Sequence, residues 1–407
     1  MSARLLDFLA RLQDSELVAR FQRRCGLHLV VHEEGEEEDE EEEEEAHQTG
    51  TGAPPRGLGE GARGGLRQRQ DNNSNVEYCV KEARSRLGYE VRSRPLHLLF
   101  LFSAALGNEV FYITCLPWLH WNLDPFLCRR LVNMWTLVMY VGQALKDLLK
   151  LPRPLSPPVV KLERRFNAEY GLPSTHAMAA TAIAFTFLYS APARIQFQFE
   201  AGLVIALTLS SLVCLSRIYT GMHSVLDVIC GIIISSIILL FTYPYWDTFD
   251  HYQLTSALSP AFGIGLPLLL SYIYPTLDHY SPTRGDTTTI LGSWAGCSVG
   301  YWFNVQLGET FEPKDPLPVP LPALTANGLA LGTARFVLGV LALVGTRQVV
   351  KSASLSVLYW FYKVPKSDVN ARRRKEFEVP YKFVTYTSVG LVNSILVNRA
   401  FMYMGLL

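Results

Sequence analysis

The chain has 407 residues, with 37 basic and 37 acidic side chains and a formal net charge of zero, yet its charges are segregated. Every position from Glu33 to Glu45 except Gly35 is acidic, and without those 12 carboxylates 25 acids stand against 37 bases, net +12. Long apolar blocks after Leu96 exclude a single soluble globular domain, and a positive excess scattered over short loops argues against a nucleic-acid-binding surface.

The N-terminus lacks the uninterrupted apolar stretch of an export signal. Leu5, Leu9, Leu12, Val18 and Phe21 recur at helical spacing among charges, so residues 1–30 are expected to hold an amphipathic helix. It could lie on the membrane surface or dock on the protein, and the surface placement is the simpler expectation. Residues 31–95, with the acidic run and a Gly/Arg stretch, cannot bury enough apolar area to offset chain entropy and are read as a disordered linker.

Apolar blocks then cover roughly 96–118, 131–150, 177–193, 200–216, 224–244, 258–275, 288–305, 324–345 and 383–405. A weaker one, Ser352–Tyr362, is short enough to be interfacial. Backbone groups in hydrocarbon must pair within their own segment, so the blocks are expected to be helices. The fold class is therefore all-α, a polytopic membrane bundle of about 8–10 transmembrane helices. Residues 96–305 would form the membrane-embedded core and 306–407 the C-terminal transmembrane helices. The seven cysteines show no paired spacing, and those inside apolar blocks read as small hydrophobes.

Polar residues cluster at block ends. Lys146 and Arg153-Pro154 leave the second block; Pro173-Ser174-Thr175-His176 precedes the third; Ser216-Arg217, His223 and Asp227 join the fourth to the fifth. Lys146, Arg153 and Arg217 supply three cations suited to phosphate oxygens. Ser174 and the backbone N–H groups at the start of the third helix add neutral donors. His223 and Asp227 are four apart, so on a helix they would share a face, the carboxylate holding one imidazole nitrogen and leaving the other free to attack phosphorus. His176 is placed to protonate a departing alkoxide. Two helices separate the second cluster from the third, so both return to one side of the membrane.

Each residue alone has an ordinary explanation. The bases could snorkel at the interface, His176 could be a helix-start residue, and His223 with Asp227 could be an ion pair. A metal site is not favoured, because no further His, Cys or carboxylate clusters with that pair in the sequence. Order, spacing and sidedness agree jointly on a catalytic site.

The pattern K-x6-R-P, P-S-x-H, S-R-x5-H-x3-D resembles the signature of the type-2 phosphatidic-acid phosphatase superfamily. Within it, Arg153 to Glu163, Ser281 to Thr287 and Tyr381 to Thr387 resemble sphingosine-1-phosphate phosphatases. The N-terminal Leu12-Gln13-Asp14 and Arg20 to Gly26 are most similar to the second isoform group. The resemblance implies a metal-independent, cofactor-free lipid phosphomonoesterase acting through a phosphohistidine. His223 would be the nucleophile, Asp227 its orienting acid and His176 the general acid, then base. Lys146, Arg153, Ser174, Thr175 through its backbone, and Arg217 would bind the phosphoryl group. Thr175 stands where the broad superfamily has Gly, a departure that narrows the subgroup.

The implied substrate is sphingosine 1-phosphate held in the bilayer, hydrolysed in the endoplasmic reticulum membrane at a lumenal site. Alternatives are a broad-specificity lipid phosphate phosphatase and a lipid phosphotransferase on the same scaffold. The substrate's ammonium should want a carboxylate, and Glu109 inside the first block is the candidate from sequence, a structural polar contact between helices being the simpler reading. Orientation by charge pulls the other way: Lys81, Arg84, Arg86, Arg92 and Arg94 flank the side that the active site would share with the N-terminus. Arg129, Arg130 and Arg194 sit opposite, joined by Arg372 to Lys375 if Ser352–Tyr362 crosses.

Overall fold

The structure is a computed structural model that describes residues 3–31, 87–163, 169–313, 315–321, 325–368 and 370–406. Most of the expected linker, including the acidic run, lies outside the described residues. Two compact units divide the chain, one of residues 1–22 with 98–407 and one of residues 23–97. The smaller unit contains an antiparallel ribbon of β1 (Leu27–Val31) and β2 (Leu87–Val91), in register from Leu27 opposite Val91 to Val31 opposite Leu87.

In the larger unit α1 (Ala3–Gln13) and α2 (Ser15–Arg24) replace the single amphipathic helix expected, with Asp14 between them. α2 docks on protein rather than lying free on a surface. Gln22 is buried and spans two segments, donating to the carbonyls of Val160 (2.7 Å) and Tyr219 (2.8 Å) and accepting from Val160 N–H (2.9 Å). An amide satisfied on both its donor and acceptor sides fixes position as well as depth.

The body follows as α3 (Arg94–Leu106), α4 (Glu109–Asn122), α5 (Pro125–Leu149), α6 (Thr175–Ser190), α7 (Phe199–Tyr219) and α8 (Val225–Thr242). Then come α9 (Trp246–Thr255), α10 (Ser259–Tyr272), α11 (Thr283–Gln306), α12 (Ala326–Phe361) and α13 (Lys375–Leu391). A π-helical turn, Val392–Val397, leads into α14 (Asn398–Tyr403). The only other strands among the described residues are the two-residue β3 (Ile195–Gln196) and β4 (Val319–Pro320), which pair in parallel.

The chain is a multi-pass membrane protein. Three described spans are both long and apolar enough to cross a bilayer: Phe199–Tyr219, Val225–Thr255 and Ala326–Phe361. The pair α3 and α4, bent by 64°, makes a fourth if taken as one span. Other helices fall short of that test in length or apolarity but are lined by neighbours. α11 buries Thr283, Thr287, Thr288, Ser298 and Asn304, as polar residues in membrane bundles generally face other helices rather than lipid. One core of Tyr112, Leu131, Trp135, Ala179, Ile290 and Trp294 ties α4, α5, α6 and α11 together.

Ser352–Tyr362 does not form a separate interfacial segment. Residues 352–361 continue α12, whose 36 residues reach about 54 Å at the usual helical rise. Neither Gly nor Pro interrupts the chain from Thr346 to Phe361, and the polar residues there lower hydropathy without breaking a helix. The basic stretch after α12 therefore lies at the same end of the bundle as the loop before α11. The Arg284 guanidinium donates to Arg373 O (3.0 Å) and to Glu378 (2.7 Å), while Lys382 lies 3.4 Å from Glu378 and 3.7 Å from Asp286. Two of the three stretches that carried the narrower resemblance, 281–287 and 381–387, thus belong to one clamp. Arg129, Arg130 and Arg194 are also paired, with Asp250 at 3.3 and 2.7 Å and Asp124 at 2.5 Å.

Candidate active site

Each element that carries a motif residue is shaped locally to present it. α5 stops at Lys150, a left-handed cap (φ 52°) whose N–H returns to Lys146 O, just ahead of Pro152 and Pro154. Lys146 in that last turn is 1% exposed and aims its Nζ at Thr175 Oγ1 (3.4 Å). Arg153, in the loop beyond, donates from Nη1 to Met222 O (3.0 Å) and so bridges the first motif to the third.

Ser174 is the N-cap of α6, its hydroxyl accepting from Ala177 N–H at 3.4 Å. Its own N–H donates to Asp227 O (3.0 Å), which sets the second motif against the third. Gly231 permits this approach, because a Cβ there would come within 2.7 Å of Ser174 O. His176 is half-buried in the first turn of α6, and the charged or titratable groups acting on it are Arg217, His223, Lys146 and Arg153.

The third motif closes the ring. Ser224 and Asp227 form a reciprocal cap at the start of α8, Ser224 N–H donating to Asp227 Oδ2 (2.8 Å) and Asp227 N–H to Ser224 Oγ (3.2 Å). His223 lies one residue before that cap, in the turn between α7 and α8 and not on a helix as the spacing suggested. Even so, its Nδ1 is 3.6 Å from Asp227 Oδ2. That exceeds a hydrogen bond. Burial, and then the charges of Arg153, Lys146 and Arg217, hold the His223 imidazole well below its ordinary value, so it is neutral at pH 7.

Lys146, Arg153, Ser174, Thr175, His176, Arg217, His223 and Asp227 are therefore brought to one place. Glu109 begins α4, but its side chain lies outside the described residues. Among the described residues no group of three or more His, Cys, Asp or Glu is arranged to hold a metal ion.

Sequence reasoning missed three carboxylates. Glu169 Oε2 lies 3.3 Å from Lys146 Nζ and 3.2 Å from Arg153 Nη2, and Glu163 Oε1 lies 3.3 Å from Arg217 Nη2. Asp147, next to Lys146, accepts from Thr283 Oγ1 (2.5 Å) and Tyr274 OH (2.9 Å), linking α5 to the loop ahead of α11. Acids lying between two cationic motifs were the available signal. Gly171 keeps the loop tight against the site, since a Cβ there would stand 3.1 Å from Asp227 Oδ2.

Comparison with known proteins places this geometry in context. Residues 128–250 match the PAP2 superfamily, an interval that holds every motif residue from Lys146 to Asp227. Human sphingosine-1-phosphate phosphatase 2 is 48% identical over 99% of this chain and 100% of its own length. Mouse sphingosine-1-phosphate phosphatase 1 is 38% identical over 100% of this chain and 99% of its own. The lipid phosphate phosphatase delta of Arabidopsis thaliana is 29% identical over 47% of this chain and 48% of its own. No solved structure matches.

Proposed function

From its place in the sphingosine-1-phosphate phosphatase family of the PAP2 superfamily, to which the chain belongs, we propose that it hydrolyses sphingosine 1-phosphate and related sphingoid-base phosphates to the free base and phosphate. The observation that carries this reading is the convergence of three cations, Lys146 and Arg217 buried and Arg153 partly so, with a helix N-terminus and the His223–Asp227 pair on one site. Lys146, Arg153 and Arg217 neutralise the phosphoryl oxygens, with Ser174 and the first N–H groups of α6 completing the cradle. The neutral His223 attacks phosphorus through Nε2 while the Asp227 carboxylate faces Nδ1 and offsets the positive charge that develops on the ring. The phosphate dianion in the cradle offsets the neighbouring cations and lets His176 hold a second proton, which it gives to the departing sphingoid alkoxide. His176 then removes a proton from water, which attacks the phosphohistidine, releases phosphate and regenerates His223.

The purified full chain should hydrolyse sphingosine 1-phosphate at least about tenfold more efficiently than phosphatidic acid. Equal kcat/KM on both would favour the broad-specificity reading. Transfer of labelled phosphate to an added lipid alcohol in preference to water would favour the phosphotransferase.

Family resemblance supports the endoplasmic reticulum membrane with the site facing the lumen, although the positive-inside rule would assign its basic surroundings to the cytosol. α1 and α2 dock at the catalytic end, through Gln22 and through Ser15 Oγ accepting from Leu155 N–H (2.9 Å). The sequon Asn72-Asn73-Ser74 follows with no apolar block between, so Asn72 should carry a glycan in cells. Labelling of a cysteine introduced beside Asn72 by an impermeant reagent from the cytosol would reverse the orientation.

A further inference from the structure

The anion paired with both Lys146 and Arg153 is a side chain of the protein itself. Glu169 Oε2 sits 3.3 Å from Lys146 Nζ and 3.2 Å from Arg153 Nη2, with its side chain only 7% exposed. Its backbone is pinned to the same place, because Arg153 Nε donates to Glu169 O at 2.9 Å. A rotation about the Glu169 side chain can therefore free both cations while the residue stays beside them. Glu163, 3.3 Å from Arg217 Nη2, covers the third cation.

A phosphomonoester entering the cradle takes over Lys146 and Arg153 and leaves Glu169 without its partners. A buried carboxylate stripped of its cations and set beside a phosphate dianion carries both a desolvation penalty and a repulsion. The size of that penalty depends on the substrate. A sphingoid-base phosphate bears an ammonium on the carbon next to the phosphorylated CH2, so it brings a replacement cation with it. Phosphatidic acid has none, and N-acylation removes the charge from ceramide 1-phosphate.

We propose that Glu169 is the specificity-determining residue of the site, exchanging its contact with Lys146 and Arg153 for the ammonium of an amino-alkyl phosphate and disfavouring lipid phosphates that lack one. Selection here works through the cost imposed on the wrong substrate as much as through contact with the right one. The inference rests on the hydrolase reading above and names the feature of the substrate head that the site reads.

The test compares wild type with Glu169→Gln, which keeps shape and removes charge, on sphingosine 1-phosphate and ceramide 1-phosphate presented in the same vesicles. The expected result is a fall of about tenfold or more in the ratio of the two kcat/KM values, with inorganic phosphate inhibiting the variant more tightly than wild type. An unchanged ratio in a variant that still hydrolyses both would overturn the role of Glu169 and leave the hydrolase intact. A wild type that fails to turn over sphingosine 1-phosphate would instead sink the hydrolase reading. Should the variant not fold, wild-type inhibition by phosphoethanolamine and ethyl phosphate decides. The amine-bearing compound should bind about tenfold more tightly, and equal inhibition would overturn the proposal.

Discussion

Replacing His223 by Ala is expected to lower kcat on sphingosine 1-phosphate by about 10,000-fold or more, the scale on which loss of a nucleophile is felt when the remaining groups act only as a unit with it. The side chain has no substitute nearby. His176, the other imidazole of the site, sits on α6, whereas the attacking nitrogen must lie opposite the leaving group. Wild type given labelled substrate and quenched in alkaline detergent should retain a base-stable, acid-labile phosphoryl label, and the variant should retain none. Residual turnover within tenfold of wild type would contradict a phosphohistidine at this position. The same residue fixes the acid side of the pH profile. Burial and three neighbouring cations depress the His223 pKa, so the imidazole stays neutral as pH falls through 6.5 and protonates only below it. The acid limb of kcat/KM should accordingly fall below pH 6.5; a limb centred above that value would mean a charged imidazole in the free enzyme.

The second large effect is expected at Asp227, to which the proposed mechanism gives a task separable from its helix cap. Its Oδ2 accepts from Ser224 N–H at 2.8 Å and so caps α8, and the same oxygen faces His223 Nδ1 at 3.6 Å. Asp227→Asn can keep the cap through its amide oxygen while losing the negative charge that stabilises the developing imidazolium. The expected outcome is a fall in kcat of roughly ten-thousandfold, by analogy with the loss of a charged orienting acid elsewhere. The thermal midpoint should change little, since the cap is worth only about 1 kcal/mol. Turnover within threefold of wild type would reduce Asp227 to a helix cap. Measuring rate and melting on the same preparation keeps the two tasks apart.

The membrane body was legible in sequence because its cause is local. A backbone in hydrocarbon must satisfy its own hydrogen bonds, so apolar blocks had to be helices, and the polar motifs had to sit where blocks end. Block length and composition could not reveal that Ser352–Tyr362 continues α12, because hydropathy counts apolar residues and helix continuity depends on the absence of a breaker. Nor could they show that α2 docks through Gln22, whose partner Val160 lies 138 positions away.

The site divides in the same way. Lys146, Arg153, Ser174, Thr175, His176, Arg217, His223 and Asp227 could be picked out because each belongs to a short motif whose spacing carries chemistry. The acids around them belong to no such spacing. Glu169 meets Lys146 across 23 positions and Asp147 meets Thr283 across 136, contacts fixed by which helix faces are packed together. The charge balance shows the same division. Sequence alone separated an acidic run from a basic membrane chain and placed three cations at the ends of spans. Only the folded chain decided that Glu169 and Glu163 cover those cations, because a buried positive charge must find an anion and packing determines which one can reach.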